Sequence, residues 1–592
     1  MAEEVRRGVA VKSNMKNDEI AAIFEEIAQI LEIQGENSFK VRSYERAADI
    51  IKKLDRDIGE IAAEGVLREI PGIGASTAEK IQEYIKTGHI EKFELLKKEI
   101  PQGLLEMLKV PGLGPKKVKT IYEKLKIKDM RGLKIASRRG ELAALPGFGA
   151  KTEQNIREGI ELILRSSGRM LVDTADLVVE DFSVWLKKNK NCERFLVCGS
   201  VRRGCETVGD IDIVALSKKP EDLIKEFSAR ECVEKVLAMG DTKGSVYTRR
   251  KAQVDIRVVP EKSFGAAAMY FTGSKNHNIH LRKLALEKGF TLNEYGLYRI
   301  IKNERNLKYA AGRCEEDVYK KLGLQYIPPE LREDLGEIEA ALKNLLPELL
   351  ELKDIKGDLH IHSVYSDGQA RIEEIARRAV DMGYEWIAIC DHSQSLAIAN
   401  GVSVKNLEKK RKEIESLNKK LKLKILMGAE VDILPDGKLD YPDEILKKLD
   451  VSIAAIHSAF KQQPEDLNKR IMKAMDNPYV DIIAHPTGRL IGQRNALPVD
   501  IEKLIEKAVL KNIVLEVNAF PDRLDMKDTS CRKAVEKGAK LSLGTDAHAL
   551  YQLDNMKFGV KNIRRGWVSP GSVINTMSAE KLMKFIAERR KK

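Results

Sequence analysis

Apolar residues between positions 18 and 165 recur at helical spacing. Ile20, Ala21, Ile23, Phe24, Ile27, Ile30 and Leu31 fall on one stripe of a helix, and short turns divide the remainder of this region into further helices. Three turns repeat one theme: Ile70-Pro-Gly-Ile-Gly74, Val110-Pro-Gly-Leu-Gly114 and Leu145-Pro-Gly-Phe-Gly149. From about 171 to 300 the period changes. Short β-branched runs such as Phe195-Leu-Val-Cys198, Ile211-Asp-Ile-Val214 and Val254-Asp-Ile-Arg-Val-Val259 predict strands of an α/β domain. A charged helical stretch comes after Pro328-Pro329 and reads as a connection. From 355 onward apolar runs alternate with charged helical segments, which predicts an α/β barrel.

Composition changes this picture little. A hydrophobic fraction of 43% excludes wholesale disorder, and no apolar run reaches the length of a membrane span. The first residues contain no apolar signal core, so a cytoplasmic protein, working at the nucleoid, is expected. Seven scattered cysteines without CxxC spacing read as reduced thiols. The net charge of +13 permits a polyanionic partner, and residues 111–140 carry ten Lys or Arg against two acids.

The repeated turns have a physical use. Their glycines keep side chains away, so backbone N–H groups and the next helix N-terminus can meet a phosphate whatever the base sequence. Gly72, Gly74, Gly112, Gly114, Gly147 and Gly149 are the candidate DNA-backbone contacts, and the turns resemble helix–hairpin–helix motifs.

Gly199-Ser-Val-Arg-Arg-Gly-Cys-Glu-Thr-Val-Gly-Asp210-Ile-Asp212 is a chemical constellation. Asp210 and Asp212, two apart on a strand, leave one face together. Paired carboxylates repel unless they share cations, and divalent cations bridging carboxylates and phosphate oxygens suit phosphoryl transfer. Asp255, in a neighbouring β-rich run, is a third candidate. Gly199, Ser200 and Arg203 offer an N–H, a hydroxyl and a cation for a triphosphate. The segment looks like the palm signature of the nucleotidyltransferase superfamily, which includes untemplated enzymes such as poly(A) polymerases.

The stretch Tyr270-Phe-Thr-Gly-Ser-Lys-Asn-His-Asn278-Ile-His-Leu-Arg282 resembles the nucleotide-binding segment of family X DNA polymerases, including DNA polymerase beta. That resemblance implies metal binding by Asp210, Asp212 and Asp255 and triphosphate binding by Ser200, Arg203 and Gly209. Tyr270, Phe271 and Gly273 would face the sugar, Asn278 the base and Arg282 the template side. Asp255 would help to deprotonate a primer 3′-hydroxyl. The first ninety residues resemble the small lyase domain of the same family, which implies a Schiff-base role for Lys80 and 5′-phosphate contacts from Lys40 and Tyr44. Phe39 and Ser76 depart from the family pattern there, replacing a histidine and a lysine.

Six of the nine histidines lie beyond residue 354, each near the end of a predicted strand. With neighbouring acids they form Asp358-Leu-His360-Ile-His362, Asp367, His392, Glu430, His457, His485 and Asp546-Ala-His548. Mixed imidazole and carboxylate ligands suit Zn²⁺ or Mn²⁺ better than Mg²⁺. The set resembles the PHP (polymerase and histidinol phosphatase) domain, whose nine ligand positions match His360, His362, Asp367, His392, Glu430, His457, His485, Asp546 and His548. Metal-dependent phosphoester hydrolysis by two or three ions is implied.

The architecture expected is multidomain: all-α helix–hairpin–helix domains (1–95 and 96–170), an α/β nucleotidyltransferase palm (171–262), a nucleotide-selecting subdomain (263–335), a connection (336–354) and a (β/α)7-8-type PHP barrel (355–592). The expected activity is template-directed gap filling in DNA repair, with two Mg²⁺ or Mn²⁺ at the palm and Mn²⁺ or Zn²⁺ at the PHP centre. The latter would act as a 3′→5′ exonuclease, with 3′-phosphatase or abasic-site endonuclease action drawing on the same chemistry. The partners expected are gapped or primer–template DNA bearing a 5′-phosphate and dNTPs, with no membrane, for a monomer. An untemplated nucleotidyltransferase, a DNA-tethered metallophosphoesterase and a small-molecule phosphatase are the competing readings.

Overall fold

Helices and strands obey the two periods of the sequence. A computed structural model describes residues 13–591 apart from 53, 55–56, 102, 109, 111–112, 150–151, 155, 158–168, 302–306, 461, 492–493 and 495. The chain divides into two units, residues 1–168 and 169–592. No helix among the described residues is long and apolar enough to cross a membrane.

The first unit is helical throughout its described residues: α1 Ser13–Gln34, α2 Ser38–Lys52, α3 Ile58–Ala63, α4 Ala75–Thr87, α5 Glu91–Glu99, α6 Gly103–Met107, α7 Pro115–Leu125 and α8 Met130–Arg139. Phe24, Ile27, Ile51, Ile81 and Phe93 centre one core, and Leu104, Val118, Ile121 and Leu133 a second. Gly74 and Gly114 are the N-caps of α4 and α7, and Pro115 opens α7 with a preset φ and no N–H to satisfy.

The second unit opens with α9 (Val172–Lys188), which packs Phe182 against a five-stranded sheet. Its strands are β1 Arg194–Val197, β2 Asp210–Leu216, β3 Val233–Met239, β4 Lys243–Thr248 and β5 Gln253–Val258, in the order β1-β2-β5-β4-β3. β2 and β5 run parallel at its centre. The short helix α10 (Gly199–Arg202) precedes β2. Next come α11 (Phe264–Thr272), α12 (Lys275–Glu287) and a three-stranded antiparallel sheet of β6 Phe290–Asn293, β7 Gly296–Ile300 and β8 Leu307–Ala311. Helix α13 (Glu337–Leu342), in the stretch read as a connection, buries Ile338 and Ala341 in the same core as Leu281 and Leu297.

Seven parallel strands complete the unit: β9 Gly357–Ile361, β10 Trp386–Ile389, β11 Lys424–Asp432, β12 Val451–Ala455, β13 Ile482–Ile483, β14 Val514–Asn518 and β15 Leu541–Gly544. Each pairs with the next in sequence order. A parallel bridge from Ile361 to Ala547 joins the last strand's end back to the first, so the expected barrel is nearly closed. Helix α14 (Met556–Arg565) packs Met556, Val560 and Ile563 into the barrel's outer core.

Two candidate metal centres

In the helical unit the three turns close alike. The Ile73 N–H donates to Ile70 O (3.0 Å), Leu113 to Val110 O (2.9 Å) and Phe148 to Leu145 O (3.0 Å). Gly72 has φ +95°, a left-handed backbone position that favours glycine, and a Cβ there would also displace the end of the Ile50 side chain, 2.4 Å away. A Cβ on Gly74, Gly114, Gly147 or Gly149 would meet nothing within 4 Å, which leaves these backbones open to a ligand. Gly112 lies outside the described residues. Lys80 Nζ donates to Ser76 Oγ (2.7 Å) and Ser76 O (3.0 Å) and lies 5.9 Å from the Tyr44 ring. Burial, reinforced by Lys92 and Lys40, holds Lys80 below the usual lysine range against Glu79 and Glu83. Lys40 is exposed and paired with Glu36 (3.0 Å).

In the five-stranded sheet, parallel register sets Asp212 beside Asp255, and Asp210 shares their face two residues earlier. Gly199 (φ +64°) lies so close that a Cβ would be 2.6 Å from Asp212 Oδ2. Burial, then the charges of Asp210 and Asp255, push the Asp212 carboxyl up to about 7 despite Arg203. Three carboxylates in this state fit cations, which would relieve the repulsion. Asp255 Oδ2 accepts from Gln253 Nε2 (3.0 Å), whereas its Oδ1 is buried without a partner.

The nucleotide-segment residues converge beside this face. Tyr270 and Phe271 lie in the last turn of α11 with their rings edge to face at 5.2 Å. Tyr270, Asn278 and Arg282 line one shallow cavity with Met269 and Leu292. Asn278 Nδ2 donates to Tyr270 O (2.7 Å), and Arg282 Nε to Asn278 O (3.3 Å). Arg203 spans the two halves: its Nη1 donates to Thr272 O (2.6 Å), beside Gly273, and its Nε to Glu333 Oε1 (2.9 Å). Gly209 is exposed, next to Asp210.

The barrel gathers all nine sequence-predicted ligands at the C-terminal ends of its strands, where barrel folds build sites. Glu430 is the hub. Its Oε1 lies 2.8 Å from His485 Nε2 and 3.2 Å from His457 Nε2, and its Oε2 2.8 Å from His392 Nδ1, 3.4 Å from His360 Nε2 and 3.7 Å from His362 Nε2. Asp546 Oδ1 stands 3.1 Å from His362 Nε2, and Asp367 reaches His362, His392 and His548 at 3.4–3.7 Å. Several of these contacts are short but poorly aligned. His360 Nε2, both ring nitrogens of His362, His392 Nδ1 and Glu430 Oε2 are buried without a hydrogen bond. Orphaned buried donors and acceptors of this kind fit a metal cluster.

Burial alone would lower the histidines. Glu516, Glu430 and Asp546 nevertheless hold His360 well above its ordinary value, Glu430 and Asp432 take His457 up to about 10, and Asp367 and Asp546 take His548 to about 9. His362 is pushed down to about 4 by burial and by His392.

Two contributors escape a reading of the sequence. Glu516 Oε1 is 2.6 Å from His360 Nδ1, and Asp432 Oδ1 2.9 Å from His457 Nδ1. Each leaves Nε2 of its histidine facing the cluster, the usual outer support of a ligating imidazole. Their only signal is an acid on a largely apolar strand, Glu516 at mid-strand and Asp432 at the strand's end.

Family profiles match along the chain: a helix-hairpin-helix domain at 15–90, a SAM-like helix-hairpin-helix tandem at 104–161, the DNA polymerase beta thumb at 267–333 and the PHP domain at 358–520. The chain is 39% identical over 575 residues to the DNA polymerase/3′-5′ exonuclease PolX of Bacillus subtilis, covering 97% of this chain and 99% of that protein. It is 32% identical over 248 residues to a probable phosphatase of Thermoanaerobacter sp. (40% of this chain, 96% of the relative), and 26% identical over 349 residues to DNA polymerase lambda of Rattus norvegicus (54% and 57%). The end-to-end match to PolX, together with family profiles for the helical, thumb and barrel regions, shows that the chain belongs to the family X DNA polymerases that carry a C-terminal PHP domain.

Proposed function

We propose that this chain fills short gaps in DNA by template-directed polymerisation during repair and trims DNA 3′ ends at its PHP centre. The observation that carries this is the register of Asp212 beside Asp255, with Asp210 on the same face and the Gly199 backbone against them. Asp210, Asp212 and Asp255 hold the palm cations. Asp255 Oδ1, buried and unpartnered, receives the proton of the primer 3′-hydroxyl. Ser200, Arg203 and the Gly209 backbone bind the triphosphate. Tyr270, Phe271 and Gly273 pack on the sugar, Asn278 reads the base edge and Arg282 the template side. The nine PHP ligands hold two or three ions, with Glu516 and Asp432 orienting His360 and His457. When bound, Mg²⁺ or Mn²⁺ at the palm and Mn²⁺ or Zn²⁺ at the PHP centre supply charge neutralisation and activation of the attacking oxygen. The enzyme works as a cytoplasmic, nucleoid-associated monomer on gapped DNA with a 5′-phosphate. 3′-Phosphatase and abasic-site cleavage fall to the same PHP residues.

A 5′-labelled primer on a short gap tests this. Asp255→Ala should lose extension but keep shortening, and His360→Ala the reverse. A wild type that never extends would leave a DNA-tethered metallophosphoesterase, and equal extension without template would leave an untemplated transferase.

The lowered Lys80 ammonium, close to Tyr44, favours a second activity: removal of 5′-deoxyribose phosphate through a Lys80 Schiff base. Borohydride should trap wild type, but not Lys80→Ala, on such an end. Equal trapping of both would overturn this.

A further inference from the structure

The segment just after the phosphate turn is docked on the barrel. A Cβ on Gly204 (φ +68°) would stand 3.0 Å from Lys561 Cβ on α14. One turn further along, Arg565 Nη1 donates to the Arg203 carbonyl (3.0 Å) and to Glu333 Oε1 (2.8 Å), while its Nε donates to Asp528 Oδ2 (2.8 Å). Glu333 Oε1 is also the acceptor for Arg203 Nε. One carboxylate therefore carries two guanidiniums, one from the palm and one from the barrel. Arg565 is largely buried and α14 is pinned by the barrel core, so this anchor is stiff. A charge-assisted fork fixes direction as well as distance.

We propose that Arg565 is a positioning residue for polymerisation: through Glu333 and the Arg203 backbone it holds the Arg203 guanidinium where the incoming triphosphate meets it. The PHP barrel then forms a structural wall of the nucleotide site. This rests on reading residues 199–282 as that site. Without Arg565, Glu333 keeps a single cation and is free to draw Arg203 away from the nucleotide, while the turn loses its carbonyl anchor. The loss should appear mainly in nucleotide binding.

The test uses the full chain, with primer extension measured as a function of dNTP concentration and primer shortening as a parallel readout. Arg565→Ala should raise the dNTP KM about tenfold, the scale of a lost charge-assisted hydrogen bond, with a smaller change in kcat and no change in shortening. Arg565→Lys should recover part of the loss. Lys557→Ala, which breaks the separate ion pair between barrel and palm at Asp176, should leave the KM unchanged. If Arg565→Ala does not fold, Arg565→Lys and Glu333→Gln carry the same comparison. An unchanged KM in an active enzyme overturns the inference. So does a parallel loss of extension and shortening that Lys557→Ala reproduces, since that means general loosening. Failure of the wild type to extend primers would instead overturn the nucleotide-site reading, and this inference with it.

Discussion

Glu430→Gln removes the negative charge at the hub of the PHP centre and leaves side-chain volume almost unchanged. In the wild type that carboxylate lies within 4 Å of five imidazoles, two on Oε1 and three on Oε2. It is almost fully buried, so water cannot replace the lost charge. The glutamine retains one oxygen and presents an N–H₂ where two or three ring nitrogens converge. Removing one partner from a buried charged pair costs about 3–5 kcal/mol. At about 1.4 kcal/mol per factor of ten, metal retention should weaken by about two to four orders of magnitude. Chelator-treated protein would be titrated with Mn²⁺, with bound metal counted by elemental analysis and shortening of a labelled primer measured alongside. Extension by the same preparation serves as the internal control, because the palm carboxylates are untouched. A glutamine variant that keeps the wild-type metal complement and shortens primers at the wild-type rate would refute the assignment of Glu430 as the shared ligand.

Metal affinity at the PHP centre should depend on pH. With His457 held up to about 10 and His548 to about 9, an incoming cation must displace protons, so affinity rises as pH climbs from about 7 to 10, by up to about tenfold per unit for each proton released; calorimetric titrations in buffers of different ionisation heat would report those protons, and a flat profile would sink the claim. In the metal-free protein the same raised values stabilise the fold fully below the unfolded histidine pKa of about 6.5 and lose that contribution as pH passes 9 to 10, which a series of melting temperatures reads directly. Gly199→Ala places a Cβ 2.6 Å from Asp212 Oδ2 at a left-handed backbone position, so extension should fall about a hundredfold while shortening persists; normal extension would show that the turn has more room than its geometry implies.

Much of the architecture is legible in the sequence because each part has its own period. Helical stripes, β-branched runs and strand–helix alternation mark three regions without reference to any partner. The convergence of the nine candidate PHP ligands is legible for a related reason: a parallel barrel brings strand ends together, so ligand-type residues at successive strand ends meet. Glu516 and Asp432 are not, since an acid in a strand becomes a ligand's support only when another strand supplies the histidine. Arg203 shows the same limit. Its place in the candidate phosphate turn is readable, but its partner Glu333 lies 130 residues away and the Arg565 that shares that partner lies further still. Contacts of that span arise from packing between subdomains, to which local pattern is blind. Helix α13 belongs here too: its charged sequence reads as a connection, yet Glu337 is fully buried against His277.

The barrel's seam has a consequence in polymer terms. Its first and last strands meet through Ile361 and Ala547 and through the Thr545 N–H donated to Asp358, positions 187 residues apart. His360 and His362 stand on one side of that seam, Asp546 and His548 on the other. An ion shared across it is a removable cross-link closing a very long loop. By the chain-entropy relation such a link removes about 5 kcal/mol of unfolded-state freedom. The cluster proposed to trim DNA would then also be the rivet of the barrel, and loss of its metal would lower the enzyme's heat tolerance as well as that proposed activity.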